Sequence, residues 1–238
     1  MDETAGTLLA DSLRRGGDHV ALRANGQVRS HREVLSNAAR FANALAGSGQ
    51  HPGDHVALMI ADRVEAVEAY VGCLIGGFPA VHVNDRLTAR EVRPILADAD
   101  ARAFVYTDSV SDRVADLPTD AAVSVIAIGS PCDGAHAVWT SLIAAARPDV
   151  PVVSRQADDL TIIGYTIGTT GSPKGVMHTQ RSMMRILQHM PVHFDIRPRS
   201  RCAFTRTLPF VAGIWGVLLR TCSSGAIRRL RNPRRTLG

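Results

Sequence analysis

Residues 165–176 read YTIGTTGSPKGV, and they join an apolar run to a helix-like segment that begins near Thr179. Three glycines in this stretch allow a tight turn and a close approach of backbone amides to an anion. Hydroxyl donors come from Thr166, Thr169, Thr170 and Ser172. Lys174 adds a mobile positive charge suited to the outer phosphates of a nucleotide. The combination predicts a phosphate-binding loop at this point of the chain.

Three other interpretations of the same stretch fit its residues less well. A polar surface turn uses the same residue types for conformational reasons, but it does not require glycines, hydroxyls and a lysine together in so short a segment. The P-loop of NTPases needs Gly-Lys-Ser or Gly-Lys-Thr, whereas this chain has Pro173-Lys174-Gly175. A dinucleotide fold needs G-x-G-x-x-G at its first turn, and the chain has no such run there.

The residues before the loop alternate between helical and strand patterns. A capping box of Ser30 and Glu33, followed by apolar residues at helical spacing, predicts a helix over residues 31–46. Further helices are expected over residues 64–75, after Thr88, near Val110 and over 138–146, with Pro94 expected to bend its helix or remove a hydrogen bond. Strands are expected over residues 55–60, 79–83, 101–106, 123–128 and 160–165, and a connecting loop over 144–155. This order predicts an α/β fold: a mainly parallel sheet with helices on both faces.

Composition and charge favour one folded domain that spans residues 1–238. The chain is 45% hydrophobic and 21% charged, which is ordinary for a globular protein with a sizeable core. Its formal charge of +5 is carried by a late cluster, namely Arg220, Arg228, Arg229, Arg231, Arg234 and Arg235. Arginines without interleaved aromatic residues favour a solvated face over a nucleic-acid site, so no nucleic-acid partner is expected. An arginine-driven nucleic-acid binder remains the weakest of the alternatives.

Other signals point to a cytoplasmic protein without a structural metal. The four cysteines lie far apart and form no CxxC pair, and the first residues lack the pattern of a signal peptide. The most apolar stretch, residues 69–83, is broken by glycine and proline and is too short to cross a bilayer. His189 and His193 have the spacing of helical metal ligands, but Pro191 between them argues against an uninterrupted helix.

The loop at residues 165–176 resembles the ATP-phosphate loop of the adenylate-forming (AMP-binding) superfamily, which includes acyl-CoA synthetases, luciferases and peptide-synthetase adenylation domains. The resemblance extends to Leu87-Thr88 through Asp98-Ala99 and to Leu208-Pro209-Phe210. It implies the N-terminal portion of the adenylate-forming large domain, and a ligase that activates a fatty or aryl carboxylic acid with ATP and Mg²⁺ and then transfers it to coenzyme A. The residues that would contact the ATP phosphates are Thr166, Gly168, Thr169, Thr170, Gly171 and Lys174.

Two positions depart from that family pattern. Ile167 stands where a small hydroxyl residue is usual, so one donor is lost and weaker ATP binding is expected, by about 1 to 3 kcal/mol. The segment from Leu208 to Gly213 lacks the histidine that often borders the acyl pocket. Phe210 and Trp215 are candidates for an apolar pocket or for ordinary core, and no catalytic residue is assigned.

Members of the family are much longer than this chain, and their later half supplies the adenine site, an acidic magnesium ligand and a catalytic lysine. The arginines of residues 220–238 occupy places where a buried strand would be apolar, so this end is expected to be poorly ordered. Two hypotheses stay open. The chain is either an N-terminal ligase fragment that binds nucleotide weakly, or a non-catalytic protein that keeps the fold to pair with a partner supplying the missing half.

Overall fold

The computed structural model describes residues 4–115, 117, 123–132, 134–167, 173–196, 202–203 and 227–228. Within these ranges the helices are α1 (Ala5–Gly16), α2 (His31–Gly47), α3 (Val64–Gly76), α4 (Ala89–Asp98), α5 (Ser111–Val114), α6 (Trp139–Ala145) and α7 (Gln180–His193). The strands are β1 (Val20–Ala24), β2 (Gln27–Ser30), β3 (His55–Met59), β4 (Ala80–His82), β5 (Ala101–Thr107), β6 (Ser124–Ile128), β7 (Ala137–Val138), β8 (Leu160–Ile167), β9 (Pro173–Thr179), β10 (Cys202–Ala203) and β11 (Ile227–Arg228). A short 3-10 turn, Asp108–Val110, precedes α5.

A seven-stranded sheet forms the centre of the described part of the chain, in the order β7-β6-β5-β3-β4-β8-β9. All neighbouring pairs in it are parallel except β8 and β9, which run antiparallel at one end. Parallel strands buried on both faces are nearly continuous apolar runs, and β3 and β5 have that character. The predicted mainly parallel sheet is confirmed.

Strand residues alternate between two apolar layers, one on each face of the sheet. On β3, Val56 and Leu58 join the layer that includes residues of α1, α2, α3, α6 and α7. Ala57 and Met59 join the opposite layer, which includes residues of α4 and α5. The two layers confirm the expected helices on both faces.

The predicted capping boxes define where α2 and α4 begin. Ser30 accepts a hydrogen bond from the Glu33 amide at 3.1 Å, and the Glu33 carboxylate accepts one from the Ser30 amide at 2.7 Å. Thr88 and Glu91 form the same reciprocal pair at the start of α4. α4 continues through Pro94 to Asp98, because Val92 and Ile95 bury its apolar stripe in the second layer.

The first thirty residues adopt secondary structure that the patterns described above do not predict. Thr4 caps α1, and β1 and β2 form a hairpin whose turn residues Asn25 and Gly26 both have positive φ. Such Asn-Gly turns match the twist of a hairpin. This hairpin is tied to the body by a cluster of three polar residues, in which the buried Glu68 accepts hydrogen bonds from the partly buried Arg29 at 3.0 Å and Asn37 at 2.8 Å. We refer to Arg29, Asn37 and Glu68 as the Glu68 cluster.

Two sequence expectations are corrected by the structure. The loop after β8 leads into a strand that was not predicted, β9, so the loop connects two antiparallel strands, and the helix expected near Thr179 then begins at Gln180 as α7. α7 also continues through Pro191 to His193, against the expected interruption. None of the described helices has the length and apolarity that a membrane span needs.

Candidate phosphate-binding hairpin

The candidate site is the hairpin formed by β8 and β9. Its antiparallel register places Thr166 opposite Lys174 and Ile167 opposite Pro173, and residues 168–172 connect the two strands. Gly168, Thr169, Thr170 and Gly171 lie outside the described residues, so their predicted contacts with phosphate stay predictions. Of the six predicted contact residues, the described strands thus bring Thr166 and Lys174 across from each other beside the turn.

Lys174 is the residue through which this hairpin can present positive charge. Its side chain is exposed, and it is the only lysine in the sequence. Cross-strand neighbours of an antiparallel pair have Cα atoms roughly 4.5 to 5.5 Å apart, so the Thr166 backbone and the Lys174 backbone border the same turn. A mobile ammonium group beside a glycine-rich turn is suited to an anion of high charge, such as a triphosphate.

The hairpin stands at the end of the sheet where an α/β fold binds its ligands. β8 runs parallel to β4, with His82 paired to Gly164, so the residues that follow Gly164 project beyond the carboxyl end of β4. Ligands of open α/β sheets bind outside the carboxyl ends of the parallel strands. The hairpin therefore lies where a ligand of this fold class is expected, and the helix expected near Thr179 follows β9 as α7.

The base of the hairpin is held from the α4 side of the sheet. The Tyr165 hydroxyl donates to the Asp98 carboxylate at 2.5 Å, and the Tyr165 ring packs with the apolar layer that includes α4. Burial raises the pKa of Tyr165, and the hydrogen bond to Asp98 raises it further. Sequence reasoning gave neither residue a role, since nothing in the chain signals a contact between residues so far apart.

The other end of β9 is fixed where the strand enters α7. Thr161 donates from its hydroxyl to the His178 carbonyl at 2.8 Å, and the amides of Thr179 and Ser182 each donate to the other residue's hydroxyl. The ring of His178 is half-buried, and this burial lowers its pKa. His178 is thus part of the hairpin, and its carbonyl helps to anchor the strand.

The remaining candidate residues form no second site in the described part of the chain. No group of three or more potential metal ligands occurs among the described residues, so no protein ligand for Mg²⁺ is assigned from them. Leu208, Pro209, Phe210 and Trp215 lie outside those residues, as does almost all of the segment 220–238. Their predicted roles therefore stay predictions.

Comparison with known families gives one match over nearly the whole chain. A family model described as AMP-binding enzyme matches residues 9–236. Among characterised relatives, the 3-oxocholest-4-en-26-oate–CoA ligase of Rhodococcus rhodochrous is 31% identical over 177 residues, which cover 71% of this chain and 32% of that protein. The long-chain-fatty-acid–CoA ligase FadD13 of Mycobacterium tuberculosis is 30% identical over 195 residues, which cover 79% of this chain and 37% of that protein. The match spans about a third of each of these relatives.

Solved structures give the same picture of the fold. The anthranilate–CoA ligase AuaEII, crystallised in complex with anthranoyl-AMP, superposes with a TM-score of 0.84 at 25% identity, covering 96% of this chain and 45% of that one. The N-terminal domain of FACL13 from Mycobacterium tuberculosis superposes with a TM-score of 0.82 at 23% identity, covering 96% of this chain and 57% of that one. The second likeness, at its lower identity, is evidence for the fold alone.

Proposed function

The chain belongs to the AMP-binding enzyme family, and we propose that it is the ATP-phosphate-binding part of an AMP-forming ligase that joins a carboxylic acid to coenzyme A. The observation that carries the proposal is the β8–β9 hairpin, which brings an exposed Lys174 opposite Thr166 beyond the carboxyl ends of the parallel strands. The match covers about a third of the relatives, so the activity belongs to the chain together with residues that it does not supply.

The proposed reaction has two steps. A carboxylate oxygen of the acid attacks the α-phosphorus of ATP, which forms the acyl-adenylate and releases pyrophosphate. The sulfur of coenzyme A then attacks the acyl carbon, which forms the thioester and releases AMP. In the first step negative charge shifts onto the phosphoryl oxygens, and donors already in place around them stabilise that charge.

The hairpin would supply those donors. Lys174 would lie against the outer phosphates, where a positive charge stabilises the departing pyrophosphate. Thr166, Gly168, Thr169, Thr170 and Gly171 would surround the same phosphates with hydroxyl and amide groups. Mg²⁺ would enter bound to ATP and neutralise part of its charge, since the described residues assign it no ligand of their own.

The class of acid is proposed as fatty or aryl. Support comes from the named substrates of the relatives, which include long-chain fatty acids and anthranilate. A cytoplasmic location is proposed with it, because ATP and coenzyme A are both available there. The described cysteines, Cys73 and Cys132, are free, as they would be in a reducing compartment.

Calorimetric titration with Mg-ATP tests the proposal on the chain as it exists. Binding by the wild-type chain that is lost in Lys174→Ala supports it. Arg102→Ala is the matched control, because Arg102 is a half-exposed cation near the amino end of β5 and forms an ion pair with Asp100. Binding that survives Lys174→Ala, or that falls equally in both variants, contradicts the assigned role.

A second measurement uses the single lysine. Reductive methylation with ¹³C-formaldehyde labels only Lys174 and the α-amino group, so the Lys174 side chain gives one assignable NMR signal. Mg-ATP should shift this signal, whereas adenosine, which has no phosphate, should not. A signal that responds to neither ligand contradicts phosphate binding at the hairpin.

A further inference from the structure

A contact between α4 and β8 lies on the opposite side of the hairpin from the proposed phosphate contacts. The Tyr165 hydroxyl donates to Asp98 Oδ2 at 2.5 Å, and the two residues are 67 positions apart in the chain. Burial raises the pKa of Tyr165, so the phenol is protonated and able to donate at neutral pH. A hydrogen bond to an ionised acceptor is stronger than one between neutral groups.

The ring of Tyr165 also supports β9 directly. Tyr165 is the cross-strand partner of Gly175, and a Cβ atom on Gly175 would lie 3.2 Å from Tyr165 Cζ and 3.0 Å from Ile163 Cγ2. A side chain at this position would require Tyr165 or Ile163 to shift by a few tenths of an ångström, so glycine suits a strand this close to the ring. An aromatic residue opposite a glycine is a known way to pin the register of a strand.

Asp98 is held in place by the helix that carries it. α4 begins at a reciprocal capping box and buries Val92 and Ile95 almost completely in the apolar layer. Asp98 is the last residue of α4, so its position follows from the packing of the helix. The helix therefore gives the hydrogen bond a rigid point of attachment.

We propose that Tyr165 and Asp98 are positioning residues which fix β9 and thereby orient Lys174 toward the phosphates of ATP. Lys174 immediately precedes Gly175, so holding the Gly175 backbone against the Tyr165 ring sets the direction in which the Lys174 side chain leaves the strand. Successive strand residues face opposite sides of a sheet, so the Tyr165 ring and Lys174 lie on opposite faces. The pair acts through the strand and does not touch the nucleotide.

The expected effect of these two residues on ATP binding rests on the proposed function, but their expected effect on the order of β9 does not. Hydrogen exchange of the amides of residues 174–176, measured without any ligand, therefore tests the second part alone. Tyr165→Phe and Asp98→Ala should each speed this exchange by roughly three- to tenfold, in line with the loss of one hydrogen bond. The double variant should exchange no faster than either single variant, because both remove the same bond.

Two further variants make the exchange test specific. Asp98→Asn should restore much of the protection, since its amide oxygen still accepts from the phenol. Tyr106→Phe is the control, because Tyr106 loses a comparable hydroxyl contact, with Cys132, on another strand. Unchanged exchange in Tyr165→Phe, or additive effects in the double variant, would overturn the proposal.

Mg-ATP affinity then separates positioning from general support of the fold. Tyr165→Phe should weaken Mg-ATP binding by roughly three- to tenfold, whereas the control Tyr106→Phe should leave the affinity unchanged. Unchanged affinity in Tyr165→Phe, or an equal loss in Tyr106→Phe, would overturn the role assigned to Lys174 orientation. If the wild-type chain does not bind Mg-ATP, the proposed function fails, and the exchange measurement alone decides whether Tyr165 and Asp98 fix β9.

Discussion

The Glu68 cluster and the β8–β9 hairpin use charged side chains in opposite ways. Glu68 is fully buried, and one of its carboxylate oxygens accepts from both Arg29 and Asn37. Lys174 is exposed, on a strand that also exposes 52% of Val176 and 65% of Met177. The Glu68 cluster lies between β2, α2 and α3, whereas Lys174 is exposed to solvent at the end of the sheet.

This difference in burial distinguishes residues that stabilise the fold from residues that can contact a ligand. Removing a partner of a buried charge leaves that charge uncompensated, so variants of the Glu68 cluster should alter the free energy of unfolding. An exposed cation at a turn contributes little to folding. Variants of Lys174 should therefore alter nucleotide affinity and leave stability almost unchanged.

The largest effect is expected from Arg29→Met. This change leaves the Glu68 carboxylate buried with Asn37 as its remaining donor, and it should lower the free energy of unfolding by about 2 to 4 kcal/mol. Urea unfolding at pH 7 measures it. The double variant Arg29→Met/Glu68→Gln should recover most of the loss, because the charge that lacked its partner is then gone.

An exposed ion pair provides the control for that measurement. Arg147 pairs with Asp149 at 3.0 Å, and both side chains are largely exposed. Arg147→Met should change the free energy of unfolding by no more than about 1 kcal/mol. If Arg147→Met were as destabilising as Arg29→Met, burial would not be what distinguishes the cluster.

The second effect is a pH dependence of stability that originates at Glu68. Burial raises the pKa of Glu68 from 4.5 to about 6, against the lowering effect of Asn37 and Arg29 and with a small raising effect of Glu65. The folded chain thus binds the proton more tightly than the unfolded chain. Stability from this group is fully present below pH 4.5 and is lost as the pH rises through 6, by about 2 kcal/mol in total.

Comparison with Glu68→Gln isolates this contribution. The stability of the wild-type chain minus that of the variant should fall by about 2 kcal/mol between pH 4.5 and pH 7, since other titrating groups cancel in the difference. Urea unfolding at several pH values across that window measures it. A difference that is constant with pH, or that increases, contradicts the raised pKa.

The central elements of the fold were predictable because local signals and tertiary packing agree. The capping box at Ser30 and the apolar stripe after it gave α2 within one residue of its observed end. The branched apolar runs likewise gave β3 and β5. In these segments the apolar pattern predicts which residues are buried, and packing of the sheet buries those residues.

The site was predictable in its residue types but not in its architecture. β9 has a mostly exposed pattern over Lys174, Gly175, Val176 and Met177, so it carries neither the alternation nor the apolar run of a buried strand. Its pairing with β8 is what makes it a strand. The contacts of Tyr165 with Asp98 and of Glu68 with Arg29 join residues distant in sequence, and a single sequence contains no signal for such pairs.

The third effect concerns the contact between Gly175 and Tyr165. Gly175→Ala places a methyl group 3.0 Å from Ile163 Cγ2 and 3.2 Å from Tyr165 Cζ, so the strand or the ring must move. The expected loss is about 1 kcal/mol in the free energy of unfolding. Gly47→Ala is the matched control, because a Cβ atom there meets nothing within 4 Å, and alanine should be neutral or stabilising in α2.

The smallest effect on stability is expected from Lys174→Ala, although its effect on nucleotide binding should be the most complete. The side chain is exposed, so the free energy of unfolding should change by no more than about 0.5 kcal/mol. A ligand that binds only the folded state raises the melting temperature by mass action, so Mg-ATP should raise it for wild type and not for Lys174→Ala. Arg29→Met should show the converse, a lower melting temperature that Mg-ATP still raises. If Lys174→Ala instead destabilised the chain by as much as Arg29→Met, the lysine would belong to the structural charges, and the hairpin would have no cation to offer a phosphate.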